Sequence, residues 1–224
     1  MLTWIQLQYG RNWAAAERNA KEALDLKPRH PWTLNTLAEV CLALGRWDEG
    51  TRLTRAALAV DPFDAQLYLQ LGEFQLVAGD IKVAEASNRR MLQINPNFGE
   101  GHLDLGRILL LQKNFEAALT EIQQEQTDWA RYAGLAMVYH ALRRRAESDA
   151  SLTEVVKGGA EGYGSEIATA YAYRGEADQA FAWLERASRD RDTGLYAIKS
   201  DPFLSMLKGD PRYVAFLHKM NLPE

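Results

Sequence analysis

ALDLKP at residues 23–28, ALAVDP at 57–62 and MLQINP at 91–96 each close on a proline, and Pro28, Pro62 and Pro96 stand 34 residues apart. A fixed period of this size marks a solenoid: each unit is too small to bury its own apolar face and must stack on its neighbours. Worked outward from those prolines, the unit persists where the prolines stop. Repeats fall near 31–64, 65–98, 99–128, 129–160 and 161–192, after a partial one at 1–30.

Within each unit the apolar and small residues recur at i, i+3, i+4 and i+7, one face of a helix. The first helices carry Leu34, Leu37, Ala38 and Cys41, then Tyr68, Leu71, Gly72 and Gln75, then His102, Leu105, Gly106 and Leu109. The series continues with Tyr132, Leu135, Ala136 and Tyr139 and with Gly164, Ile167, Ala168 and Tyr171. The third position of each set is small, which lets the two helices of a hairpin approach closely. Turns follow at Gly45, Gly79 and Gly175, where glycine supplies a left-handed helix end without steric cost. Lys113 and Arg143 stand at the equivalent positions of two other repeats, so those turns are expected to be strained or differently closed. Second helices offer Trp47 and Ala57, Ile81 and Met91, Phe115 and Ile122, Leu152 and Val155, and Ala180 and Leu184. Asp61-Pro62 and Asn95-Pro96 end two of them, because proline cannot continue the hydrogen-bond ladder.

The Leu-Gly/Ala pairs, the small-residue-rich second helices and the closing prolines resemble tetratricopeptide (TPR) repeats across roughly residues 1–192. That resemblance implies an all-α, right-handed superhelix of about five full hairpins plus the partial first repeat, with a concave surface that holds other proteins. Residues 193–224 differ: Asp201-Pro202 and Asp210-Pro211 each read as an N-cap followed by a proline in the first turn. Leu204 and Leu207, then Tyr213, Phe216 and Leu217, give that segment an apolar face, and it is expected to cap the array. The expected molecule is elongated and without strands.

A narrower resemblance rests on YGRNWAAAERNAKEALDLKP (9–28), YAGLAMVYHALRRRAESDASL (132–152) and the stretch from Ala172 to Pro223. These resemble the C-terminal TPR region of multidomain bacterial proteins whose N-terminal module is an adenylate cyclase, a winged-helix regulator or a TolB-like domain. No motif of such a module is present here. The first helix, about Leu2–Tyr9, is short, and Leu2, Trp4, Ile5 and Leu7 give an apolar outer edge where a terminal repeat normally presents a polar one. Either the chain is a fragment, the favoured expectation, or that edge pairs with another molecule, such as a second copy.

Composition narrows the function classes. With 224 residues, 47% hydrophobic and 25% charged, the chain resembles an ordinary globular protein. A net charge of −4 gives no electrostatic footprint for nucleic acid. No apolar run approaches the ~20 residues that span a bilayer, and no signal peptide opens the chain. The expected compartment is the cytoplasm, or the periplasm if a membrane span precedes the repeats. The single cysteine, Cys41, reads as a buried small hydrophobe. His30, His102, His140 and His218 lie in different repeats and suggest no metal site. Gly162-Tyr163-Gly164-Ser165 lacks the preceding strand of a nucleophile elbow, and Arg143-Arg144-Arg145 reads as a solvated turn. No enzyme and no cofactor are expected.

The candidate site is the groove. Residues of the first helices that lie off the core stripe are expected to face it: Trp32, Asn35, Glu39 and Leu42; Gln66, Leu69, Gln70, Glu73 and Leu76; Glu100, Leu103, Asp104, Arg107 and Leu110. Later repeats add Ala133, Met137, His140, Glu166 and Thr169. TPR domains of the carboxylate-clamp type place Lys, Asn and Arg on this face to grip acidic tails. Here only Asn35 and Arg107 are of those types. The expected function is a protein-interaction or regulatory scaffold that takes a basic or amphipathic segment. The alternatives are a self-assembly module or the non-catalytic region of an enzyme whose catalytic domain lies elsewhere.

Overall fold

The computed structural model describes residues 12–158 and 162–223. The apolar edge at Leu2, Trp4, Ile5 and Leu7 and the short helix around it lie outside the described residues. Among the described residues the chain forms twelve α-helices and no strand. Helix α1 (Trp13–Leu26) is the second half of the partial repeat. Five hairpins follow: α2 (Pro31–Leu44) with α3 (Trp47–Leu58), α4 (Ala65–Val77) with α5 (Ile81–Ile94), α6 (Gly101–Leu111) with α7 (Phe115–Ile122), α8 (Asp128–Ala141) with α9 (Arg145–Lys157), and α10 (Gly164–Tyr173) with α11 (Ala177–Asp190). Two 3₁₀ turns, Thr193–Ala197 and Leu204–Leu207, lead to α12 (Pro211–Lys219).

Each hairpin turns by the same device. A residue with left-handed backbone ends the first helix: Gly45 at φ 77°, Gly79 at 82°, Lys113 at 61°, Arg143 at 61° and Gly175 at 77°. The next amide then reaches back to a carbonyl five residues earlier. Arg46 N bonds Cys41 O at 2.8 Å, Asp80 bonds Gln75 at 2.9 Å, Asn114 bonds Leu109 at 2.9 Å, Arg144 bonds Tyr139 at 2.8 Å and Glu176 bonds Tyr171 at 2.9 Å. This is the long hydrogen bond of a Schellman closure, which satisfies carbonyls the helix end would orphan. Lys113 and Arg143 therefore close like the glycines rather than differently. They adopt the left-handed region at a steric cost of roughly 1–2 kcal/mol for a residue with a Cβ.

The small position has a direct steric reason. A Cβ on Gly72 would strike the Asn88 amide, and one on Gly106 would strike Ile122, each on the second helix of the same hairpin. Ala38, Ala136 and Ala168 fill the equivalent slots with no exposed surface. Cys41 is likewise fully buried, and burial pushes its thiol up to about 12. Packed this way, the first helices of successive hairpins line the inner face.

The last segment does not trail outward. The first 3₁₀ turn touches both α2 and α10, and the second packs on α10. Helix α12 pairs with α11 through Arg212–Asp178 at 2.8 Å and through Lys219–Glu185. Just past α12, Met220 O accepts a 2.9 Å hydrogen bond from Trp13 Nε1 on α1, 207 residues earlier. One apolar cluster accordingly runs from Trp13, Leu37 and Val40 to Phe216, Leu217 and Leu222. An elongated array with a C-terminal cap was expected; here the capping segment also ties the first helix to the last, because it has apolar residues on the side that meets α1 and α2.

Leu105 is 1% exposed, so Leu105→Ala should cost about 2–5 kcal/mol in urea unfolding, whereas Glu116→Ala on the solvent side should cost under about 0.5 kcal/mol. At the turns, Arg143→Gly should stabilise by about 0.5–1 kcal/mol and Gly175→Ala should destabilise by about 1 kcal/mol, since only the left-handed backbone is at stake. The same sign at both turns would contradict the shared closure.

Candidate functional site

The inner face of the repeats meets the 193–204 segment around a cavity of about 260 Å³. Helix α4 brings Leu69, Glu73 and Leu76 to it, and α6 brings Asp104 and Arg107, with Glu100 at its N-cap. Ser165, Glu166 and Thr169 come from α10, and Tyr196, Asp201 and Phe203 from the terminal segment.

Arg107 is the hub. Its Nη1 donates to Glu166 Oε2 at 3.1 Å, its Nη2 to Asp201 Oδ2, and its guanidinium stacks 5.2 Å from the Phe203 ring centre. Asp201 divides its work between two carboxylate oxygens. Oδ1 accepts from Phe203 N at 2.7 Å and Leu204 N at 3.1 Å, capping the second 3₁₀ turn, which leaves Oδ2 for Arg107 and for Thr169 Oγ1 at 3.2 Å. Asp192, 4% exposed, anchors the start of the segment. Its Oδ2 accepts from Ser165 N at 2.8 Å and Ser165 Oγ at 3.0 Å, and its Oδ1 from Gly194 N at 2.8 Å. Gly194 is needed for this approach, since a Cβ there would collide with Ser165 Oγ.

The electrostatics are lopsided. Burial pushes the Glu39 carboxyl up to about 7, against the opposing hydrogen bond from Asn35 Nδ2 at 3.0 Å. Burial and the neighbouring Glu39 raise Glu73 to about 8. Glu166 rises to about 7 by burial, although Arg107 pulls the other way. Asp104 is held well above the usual carboxylate range by burial, and Glu100 is raised by burial and by Glu125. Burial opposes the charge on Arg107, but Asp201 and Glu166 more than restore it. The Tyr196 phenol is raised well above its ordinary value, first by Glu73 and then by burial.

Of the residues expected to face the groove, Leu69, Glu73, Leu76, Glu100, Asp104 and Arg107 come together at the cavity, with Glu166 and Thr169. Others do not. Leu42, Leu103 and Leu110 are 2% exposed or less and pack between helices. Ala133 and Met137 are buried in the same way. Gln70 is 1% exposed, accepting from Thr54 Oγ1 at 2.8 Å and donating to Asn35 O, so it pins α4 to α3 and α2. Asn35 is buried beside it, Trp32 and Gln66 are exposed at helix starts, and His140 lies against Tyr173 at the opposite rim. His102 is partnered rather than solitary, its Nδ1 lying 2.7 Å from Glu121 Oε1. Tyr196, Asp201 and Phe203 were not legible as site residues, because Asp201-Pro202 carries the signal of a helix cap and nothing in the spacing says where the cap docks.

The raised carboxyls make stability pH-dependent. Glu39, Glu73 and Glu166 bind protons more tightly folded than unfolded, so between their unfolded value of 4.5 and about 8 the native state carries more protons. Stability must then fall as pH rises through that window. Thermal unfolding should occur at least about 3 °C higher at pH 6 than at pH 8, and Glu73→Gln should raise the pH 8 midpoint and shrink the difference.

The sequence model of the tetratricopeptide repeat family matches residues 10–71. No curated protein matches the chain. Among solved structures, the type IV pilus biogenesis factor PilW is 15% identical with a TM-score of 0.64, over 92% of this chain and 94% of its own. A tetratricopeptide repeat protein of Parabacteroides merdae is 14% identical with a TM-score of 0.57, over 98% and 99%. YrrB, a TPR protein with an unusual peptide-binding site, is 16% identical with a TM-score of 0.51, over 91% and 98%. The family match in its first repeats and the fold of its described length are both similar to those of tetratricopeptide-repeat proteins.

Proposed function

We propose that this chain is an interaction scaffold whose inner groove receives a basic or amphipathic segment of another protein, and that its own residues 193–207 compete for that place. TPR folds serve generally as protein-interaction scaffolds, and one structural neighbour is a peptide-binding TPR protein. The observation that carries the reading is the docking of the chain's own terminal segment on the inner face, through Arg107–Asp201 and Asp192–Ser165. A segment of 3₁₀ turns bound there in cis supports the reading that this surface can receive a further stretch of chain. Removing it would leave Glu39, Glu73, Asp104 and Glu166 with Arg107 as the single cation among them, a wall that favours partners of positive charge. The resemblance to C-terminal repeat regions of larger bacterial proteins allows that partner to be another domain of the same polypeptide. No membrane-spanning helix is found among the described residues.

Asp201→Arg places two cations together and should free the segment without shortening the chain. Measured by fluorescence anisotropy at low salt, a basic amphipathic helix peptide should bind this variant at least about tenfold more tightly than the wild type, with association slowing as salt rises. Circular dichroism should show the repeats intact. Tight binding of an acidic tail peptide, with none of the basic one, would overturn the assignment.

A further inference from the structure

The terminal segment does not fill the groove completely. The space it leaves, about 260 Å³, lies between the ~150 Å³ that accommodates a benzene and the ~300 Å³ where drug-sized pockets begin. Its walls divide by chemistry. Leu69, Leu76, Ile108, Leu111 and Leu204 supply an apolar side. Five carboxylates, on Glu73, Glu100, Asp104, Glu166 and Asp201, face a single guanidinium. Arg107 is already committed to Glu166 and Asp201. The side-chain carboxylates of Glu73, Glu100 and Asp104 take no hydrogen bond or salt bridge from any donor among the described residues.

A second observation points the same way. Asn88, 2% exposed on α5, lines the cavity. Its Nδ2 donates to Ala84 O at 3.0 Å, which fixes the orientation of the amide. Its Oδ1 is buried and accepts from nothing. A buried acceptor left unmade is costly, so an occupant rich in N–H groups is what the site lacks. Acceptors without donors, beside an aliphatic wall, define a ligand that is cationic at nitrogen and apolar along its stem.

We propose that this cavity binds a small aliphatic amine or guanidino compound, its charged nitrogen among Glu73, Asp104 and Asn88 Oδ1 and its methylenes against Leu69 and Leu76. A bare metal ion fits less well, because no group of three or more His, Cys, Asp or Glu side chains among the described residues is gathered closely enough to hold one. A peptide segment does not fit while 193–204 is in place, which assigns the ammonium to a free small molecule. The site exists only in the closed form of the protein and stands whether or not a protein partner competes for the groove. The raised carboxyl of Glu73 agrees with it, since burial and the neighbouring Glu39 hold a proton there that an arriving cation would displace. The other ionisable groups around them are Glu39, Glu100, Asp104, Arg107, Tyr196 and Asp201.

The test is calorimetric titration of the full chain at pH 8 and low salt with putrescine and with agmatine, with butyrate and MgCl₂ as controls. Saturable binding of either amine with a Kd of about 10–100 µM, and none of butyrate, is expected. The Glu73→Gln/Asp104→Asn double variant should weaken it at least about tenfold, because it removes two of the three uncommitted carboxylates of the wall. That variant also relieves like-charge repulsion, so its melting temperature should not fall; Ala197→Phe, which fills the cavity without altering charge, should abolish binding independently. Absence of a saturable heat with both amines, or binding indifferent to both variants, overturns the site. Preference for Mg²⁺ would replace the amine with a metal. Tighter binding of a lysine-rich peptide than of either amine would make a partner side chain, not a free molecule, the source of the ammonium.

Discussion

Arg107 is the interaction on which the inner face depends. It stands among Glu73, Asp104, Glu166 and Asp201, and it is 13% exposed at the side chain. A buried ion pair adds little net stability compared with an apolar substitute, but removing one partner leaves an uncompensated charge that costs about 3–5 kcal/mol. Arg107 is therefore less a source of stability than a constraint on arrangement. It comes from the third repeat, Glu166 from the fifth full hairpin and Asp201 from the terminal segment, so it fixes three distant parts of the chain in one geometry. Stacking on Phe203 holds the guanidinium plane in place, and bidentate use of its fork leaves no room for a lysine to do the same work.

That constraint alters the mechanics expected of a solenoid. Repeat arrays are stabilised through nearest neighbours, and their ends are free to fray. Here the hydrogen bond from Trp13 to Met220 and the contacts of the first 3₁₀ turn with α2 and α10 add couplings of very long sequence separation. Local opening at one end must break contacts that belong to the other, which makes unfolding more cooperative than in an open array. Contacts of this range also form late, after the hairpins that must already exist to receive them.

The repeat architecture was legible because it is written locally. Pro28, Pro62 and Pro96 set the period, and the small residues Gly72 and Gly106 lie where Asn88 and Ile122 leave no room. Even the non-glycine turns at Lys113 and Arg143 obey the rule, since their neighbours close the same five-residue bond. The groove was legible only in part. Glu73, Asp104 and Arg107 follow from helical phase, but the same phase also pointed to Leu42, Leu103 and Leu110, which neighbouring first helices bury. Phase assigns a side of a helix; it does not say whether another helix or solvent lies there. The apolar face of 193–223 announced a cap, but its docking on the inner face had no local signal, because Asp201 serves as a cap with one oxygen and as a tether with the other.

An acid-rich wall with one committed cation has two ways to lower its free energy. It can hold protons, as the raised Glu39, Glu73 and Glu166 do, or it can take a cation from outside. A small amine in the cavity would do so with the terminal segment in place, and a basic protein segment would do so after displacing it. The two occupants thus bind opposite states of the same element, so each must weaken the other by the same factor. The size of that factor is bounded by how much the segment's own docking contributes, since a ligand can shift an equilibrium only by its differential affinity for the two states. Asp192, Asp201 and the Trp13–Met220 bond set that quantity, and none of them touches the cavity's unpaired carboxylates by hydrogen bond. The strength of closure and the charge of the wall are consequently separable properties of one groove, set by different residues.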